Sequence, residues 1–216
     1  MFIHTRKDMR CPCRLFGILY AYAVYTVIIL YLQEAKEMFE AALNITTKIY
    51  AQKTIKSLNI SYEHANLIFL KGSFDESRSV HTSIMQQRLQ TCDELHPDKS
   101  DSLFMLGVVA VTTCKYDDGG QILAESLHIR RKVFGDSHWK VGEIYKVLAE
   151  ILTGKGLFEE SNAFYDKALS LFRNSLGDQH HLIANVFTGQ AINMIETGQF
   201  ENAMSIIEQG IIIRIL

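Results

Sequence analysis

A period of 42 residues constrains this chain more than any other feature: an aromatic or aliphatic side chain marks the same turn at Leu32, Phe74, Tyr116, Phe158 and Phe200. Nine residues before each of these stands a small one, Ala23, Ala65, Gly107, Ala149 or Ala191, and three residues after each stands another, Ala35, Ser77, Gly119, Ser161 or Ala203. Residues without bulk at fixed places in every unit let two helices approach closely. The period therefore predicts helical hairpins stacked on one another, an all-α solenoid. Such arrays bind partners far more readily than they catalyse.

Each unit reads as a helix A, a tight turn, a helix B and a short loop. Glycine ends helix A in Gly72-Ser73-Phe74, Gly156-Leu157-Phe158 and Gly198-Gln199-Phe200, where a left-handed residue is needed. Leu30 and Cys114 take the place of that glycine in the other two units, which predicts a strained turn or a different turn type. Acidic residues follow, at Asp75-Glu76, Asp117-Asp118, Glu159-Glu160 and Glu201. In the first turn of helix B they complement the helix dipole, so they are structural and not a catalytic pair. Phe158, Ser161, Tyr165, Ala168 and Phe172 form a stripe at helical spacing, the face of a B helix turned to its neighbours. The closing loops Phe134-Gly135-Asp136-Ser137-His138 and Leu176-Gly177-Asp178-Gln179-His180 are also 42 apart. Glycine stops helix B in them, and Asp or Ser is placed to cap the next helix A.

Composition narrows the function. A net charge of -2 with no block of like charge gives nothing for a nucleic-acid backbone to bind. Cys11, Cys13, Cys92 and Cys114 have neither zinc-finger nor disulfide-framework spacing. They read as reduced, intracellular thiols, with Cys11-Pro12-Cys13 also a site for a palmitoyl chain. His96, His138 and His180 repeat at the period, and equivalent residues of successive units stand at least about 8 to 10 Å apart, too far for one metal ion. They read as loop histidines near a helix start. Asp178, His180 and His181 lack the helical spacing of a metal site. No phosphate-binding loop, nucleophile elbow or HExxH occurs, and Gly119-Gly120 is a packing position. Neither cofactor, metal nor catalytic residue is expected.

The Gly-x-Phe-Glu-Glu-Ser of residues 156 to 161, the Leu-Gly-Asp-Gln-His of 176 to 180 and the Ala-Leu pairs Ala42-Leu43 and Ala168-Leu169 together resemble the tetratricopeptide repeat of the kinesin light chain and nephrocystin type. The resemblance runs from about residue 16 to 216. His81 and Leu123 depart from it where Tyr165 supplies the aromatic, and Ile84 fills a slot usually kept small. It implies a right-handed superhelical solenoid of about five antiparallel hairpins, with residues 1-14 poorly ordered and units at about 15-53, 54-96, 97-138, 139-180 and 181-216. It also implies a groove on the inner face of the A helices that holds a peptide segment of a protein partner. The groove columns are Tyr62, Phe104, Lys146 and Thr188; Asn66, Val108, Glu150 and Ile192; and Phe69, Val111, Thr153 and Ile195. Chaperone-clamping members pair a Lys with an Asn four residues later; here Lys146 precedes Glu150 and Tyr62 precedes Asn66, so that clamp is not expected. A non-catalytic cytoplasmic adaptor is the resulting reading.

Two alternatives stand beside it. Residues 15 to 32 carry no charge and follow Arg6, Lys7, Arg10 and Arg14, so they also fit a bilayer span with a cytoplasmic N-terminus, which makes the chain a membrane-anchored assembly factor. Ala23, Leu32, Ala35, Ala42 and Leu43 all keep the 42-residue register, which favours a repeat helix there. Ala21-Tyr22-Ala23 fits a signal-peptidase site, but the apolar run continues past it. The other alternative is the sensing arm of a larger enzyme. Ile211 to Leu216 end an apolar helix B with no polar cap, a surface for self-association.

Overall fold

The computed structural model describes residues 31, 33–42, 44 and 55–215. The described residues are helical with no strand: α1 Ile55–Leu70, α2 Phe74–Thr91, α3 Pro97–Thr112, α4 Tyr116–Phe134, α5 Trp139–Gly154, α6 Phe158–Leu176, α7 His181–Glu196 and α8 Phe200–Ile215. Residues 33–42 are helical as well. The chain divides into two compact units, Met1–Gly72 and Ser73–Leu216. α1 and α2 belong to different units and are described separately.

In the first unit, α1 buries Leu58, Ala65, Leu67 and Ile68. The Phe39 and His64 rings lie 6.4 Å apart, and Lys71 Nζ donates to Gln33 Oε1 at 3.2 Å. The expected span 15-32 lies outside the described residues except for Tyr31, as do Leu30, Cys11 and Cys13. Among the described residues no helix is long and apolar enough to cross a membrane.

The second unit is a helical repeat solenoid. α3 pairs with α4, α5 with α6 and α7 with α8, while α2 packs on α3, α4 on α5 and α6 on α7. The small columns are where the A and B helices of a hairpin cross. A Cβ on Gly107 would come within 2.6 Å of Leu123 Cγ, and one on Gly119 within 2.9 Å of Val111 Cγ2, so at this crossing only hydrogen fits. Ser161 and Ala203 hold the equivalent position in the later hairpins and are buried.

The turns confirm one half of the expectation for Cys114 and correct the other. Gly156 and Gly198 take φ values of 76° and 78°, and Cys114 takes 58° without being glycine. Its amide donates to Val111 O at 2.9 Å and that of Lys115 to Ala110 O at 2.8 Å, as Gly156 does to Thr153 O and Leu157 to Leu152 O. The turn type is thus unchanged and the strain sits on one residue. The loops bring a second correction, because the cap is histidine and not Asp or Ser. His96, His138 and His180 stand in extended backbone at the N-cap, and Nδ1 of each accepts the amide two residues on, from Asp98, Lys140 and Leu182. An unprotonated ring nitrogen on a short stem supplies the acceptor that an Asn or Asp oxygen usually provides. Burial, with Lys140 and Arg130 adding to it, lowers the pKa of His138, which keeps that nitrogen an acceptor.

Candidate functional site

The expected groove columns fall on α3, α5 and α7, consecutive A helices that touch in the second unit. Regular spacing of 42 residues brings Phe104, Lys146 and Thr188 to equivalent places on the three helices, and Val108, Glu150 and Ile192 one turn further along. Tyr62, Asn66 and Phe69 lie on α1 in the other unit, half-buried, with Asn66 Nδ2 donating to Glu63 Oε2 at 3.2 Å.

On the three helices of the second unit the columns are chemically uneven. Phe104, Val108 and Val111 lean on the core formed by Leu123, Ile144, Val147 and Ile151. Lys146 Nζ holds Glu150 Oε1 at 2.8 Å along α5 with both side chains partly exposed. Thr153 is drawn inward: its hydroxyl donates to Asn193 Oδ1 at 2.7 Å, and Asn193 Nδ2 donates to Ser161 Oγ at 3.0 Å and Asn162 Oδ1 at 2.8 Å. Ile192 and Ile195 are left apolar and open at 46% and 44% exposure. The A-helix face thus offers an aliphatic strip on α7, an ion pair on α5 and half-covered apolar side chains on α3.

A charge cluster that the column reading missed supports this face from beneath. Arg130 of α4 is 1% exposed. Its Nη2 donates to Asp101 Oδ1 at 3.0 Å, its Nη1 to Glu143 Oε2 at 3.1 Å and to the carbonyl of Lys140. Its guanidinium lies 4.4 Å from the centroid of the Phe104 ring. Lys140 Nζ closes the cluster on Asp101 Oδ2 at 2.8 Å. Two cations and two carboxylates cancel, which is the arrangement a buried guanidinium requires. Burial raises the pKa of Glu143, with Arg130 opposing and Asp101 reinforcing the shift. Phe104 is consequently the lid of an internal cluster as much as a contact residue. The signal in the chain was Arg88, Arg130 and Arg214, arginines at multiples of 42 residues.

On the B-helix side, an open cleft of about 730 Å³ lies between α4 and α6 over α5, lined by Tyr116, Ala124, Leu148, Leu152 and Phe164. Asp117 and Lys155 pair at its edge at 2.7 Å. Among the described residues no three His, Cys, Asp or Glu side chains gather as metal ligands would.

A family model described as tetratricopeptide repeat matches residues 140–213. In structure the chain is similar to BtubC (BKLC) from P. vanneervenii, with a TM-score of 0.66 and 15% identity over 85% of this chain and 73% of that one. It is similar to a kinesin light chain-type protein with nearly identical TPR-like repeats from Podosopora anserina, with a TM-score of 0.59 and 19% identity over 95% of this chain and 97% of that one. The Rap protein complexed with Competence and Sporulation Factor matches with a TM-score of 0.62 and 15% identity over 85% of this chain and 54% of that one. In sequence the chain is 20% identical over 168 residues to the human clustered mitochondria protein homolog, 74% of this chain and 13% of that protein. A homolog of the same description from Candida albicans is 30% identical over 91 residues, 42% of this chain and 7% of that protein. The chain thus spans a small fraction of the length of these relatives.

Proposed function

From the premise that this chain is a tetratricopeptide-repeat protein with the fold of kinesin light chain repeats, we propose that it is a non-catalytic, cytoplasmic interaction scaffold that holds a segment of a protein partner on the A-helix face of Ser73–Leu216. Phe104, Val108, Lys146, Glu150, Thr188 and Ile192 are the contact residues. The observation that carries the reading is the open aliphatic strip Ile192 and Ile195 beside the partly exposed Lys146–Glu150 pair. Apolar side chains held open by a rigid scaffold, with a charge pair to orient the ligand, are what a peptide groove needs. The Rap protein in complex with Competence and Sporulation Factor offers a precedent for a similar fold holding another molecule. Tyr62, Asn66 and Phe69 are the matching column positions on α1 of the other unit.

Cross-linking and affinity capture of the protein and of an Ile192→Asp, Lys146→Glu variant test the reading. Loss of the captured partners with retained helicity supports it. An unchanged set overturns it and moves attention to the cleft at Leu148 and Phe164. Phe104 is unsuited to the test, because its truncation would disturb Arg130. A second reading, in which such repeats are the recognition part of a larger protein, is favoured by the match to the human relative over 13% of its length. Immunoblotting of the native protein for its size checks it.

A further inference from the structure

The cleft between α4 and α6 lacks the side chains that bridge the same place one repeat later. Over α7, Asn193 Nδ2 donates to Asn162 Oδ1 of α6 at 2.8 Å and Gln190 Nε2 to Asp166 Oδ1 at 2.9 Å. The corresponding positions 42 residues earlier are Ile151 and Gly120, and Leu148 and Ala124. Wall and floor change together: the two α4 residues lose their bulk and the two α5 residues become aliphatic. One repeat before, the same wall positions on α2 are Arg78 and Thr82. Whole helices, α2 and α3 on one side and α7 and α8 on the other, flank the α4–α6 cleft along the chain.

Internal packing does not require the change. A Cβ on Gly119 would meet Val111 Cγ2 at 2.9 Å, but one on Gly120 would meet nothing closer than Ile151 Cδ1 at 3.9 Å. The packing role expected of the Gly119-Gly120 pair therefore belongs to Gly119. Glycine inside a helix weakens it relative to alanine, so Gly120 weakens α4 with no internal contact that demands it. Its effect is depth: with Ala124 one turn further on, it leaves Leu148, Leu152 and Phe164 as the apolar base of about 730 Å³ of open space. The rim adds a charge. Asp117 and Lys155 satisfy each other at 2.7 Å, whereas Lys167 Nζ stands 4.7 Å from the Phe164 ring centroid and, among the described residues, joins no ion pair.

We propose that the cleft formed by α4, α5 and α6 docks an amphipathic helix of a protein partner, which lays bulky apolar side chains on Leu148, Leu152 and Phe164 and presents a carboxylate to Lys167. Gly120 and Ala124, four residues apart and without bulk, make a smooth wall that a helix can approach closely, as Gly107 and Gly119 let α3 and α4 do inside the protein. The cleft is open on its outer side, so it suits a ridge of side chains carried by a larger body; a free small molecule would keep one face in water. Apolar burial supplies the affinity, and the ammonium–carboxylate contact orients the helix. The inference is independent of the A-helix groove, since it concerns the B-helix side.

The probe is a phage-displayed helical peptide library randomised along one face and selected on the whole chain. Enrichment of sequences with large apolar residues at i, i+3 or i+4, and i+7 and an acidic residue beside them is expected. In fluorescence anisotropy, a selected peptide should bind about tenfold or more weakly to a Gly120→Asn, Ala124→Asp variant, which installs the wall of the next repeat. Lys167→Glu should weaken it about tenfold, and replacing the peptide's acidic residue by lysine should recover most of that loss. The substituted positions face open space, so circular dichroism of the variants should match the parent. No enrichment, or binding indifferent to Gly120→Asn, Ala124→Asp, overturns the proposal, and indifference to Lys167→Glu overturns the carboxylate. Peptides lost with Ile192→Asp, Lys146→Glu but kept by the wall variant belong to the A-helix face and also overturn it. So does a concentration-dependent dimer in sedimentation that the wall variant abolishes, because it assigns the cleft to a second copy.

Discussion

The α4–α5 junction and the α6–α7 junction occupy the same place in successive repeats and are held by opposite chemistry. At the first, position 130 is arginine, neutralised by Asp101 and Glu143. At the second, position 172 is phenylalanine, fully buried among Ala149, Tyr165, Leu169, Ile183 and Val186. Gly142 makes the aromatic solution fit, since a Cβ there would stand 2.9 Å from Phe172 Cε1. Ser100 holds the same column opposite Arg130. A repeat register prescribes where a large side chain goes and leaves its chemistry free, provided the facing residues change with it.

Substitutions at the two junctions should separate these chemistries. Phe172→Ala leaves a large cavity and should cost about 3–5 kcal/mol in urea denaturation followed by circular dichroism. Arg130→Ala removes the guanidinium that Glu143 and Asp101 both bind, and should cost about 3 kcal/mol. Its effect should shrink at low pH, where Glu143, already raised in pKa by burial, takes up a proton, whereas the loss in Phe172→Ala should not depend on pH. Equal pH dependence in both variants would contradict the contrast.

A third version of the junction lies on α2, where Arg88 stands in the same column and donates to Asp98 O at 2.7 Å and Ser102 Oγ at 2.6 Å. His81 is 0% exposed, and burial, aided by Arg88, lowers its pKa to about 4 from 6.5. The unfolded chain therefore binds a proton that the folded chain refuses. The stability tied to His81 is complete above pH 6.5 and falls by roughly 2–3 kcal/mol as the pH drops from 6.5 to about 4. His81→Leu, which installs the residue that Leu123 provides one repeat later, should flatten that slope. The smallest effect is expected at the turn. Cys114→Gly relieves a non-glycine residue at φ 58° and should stabilise by about 1 kcal/mol, while Gly156→Ala should lose a similar amount.

Much of the local architecture was legible before any coordinates. The turn glycines, the acidic first turns of α4 and α6 and the small crossing residues follow from constraints that act within a few residues or at one fixed contact. Of the stripe Phe158, Ser161, Tyr165, Ala168 and Phe172, the last four are buried as helical spacing requires and Phe158 is half-buried. Residue type favours the Asp or Ser over histidine as the cap, and only the backbone placement of His96, His138 and His180 assigns it to them. The groove was legible as columns but not as a surface. Phe104, Val108 and Thr153 are partly engaged inside the protein, while Ile192 and Ile195 stay open.

By itself, the amino-acid order determined a helical repeat with a 42-residue register, because periodic hydrophobicity and left-handed turn residues act locally along the backbone. Tertiary structure alone decided which equivalent side chains become core, cluster or contact. Arg130 meets Asp101 from 29 residues away and Glu143 from 13, and such neighbours are selected by the packing of adjacent helices, where burial and charge neutralisation are settled together.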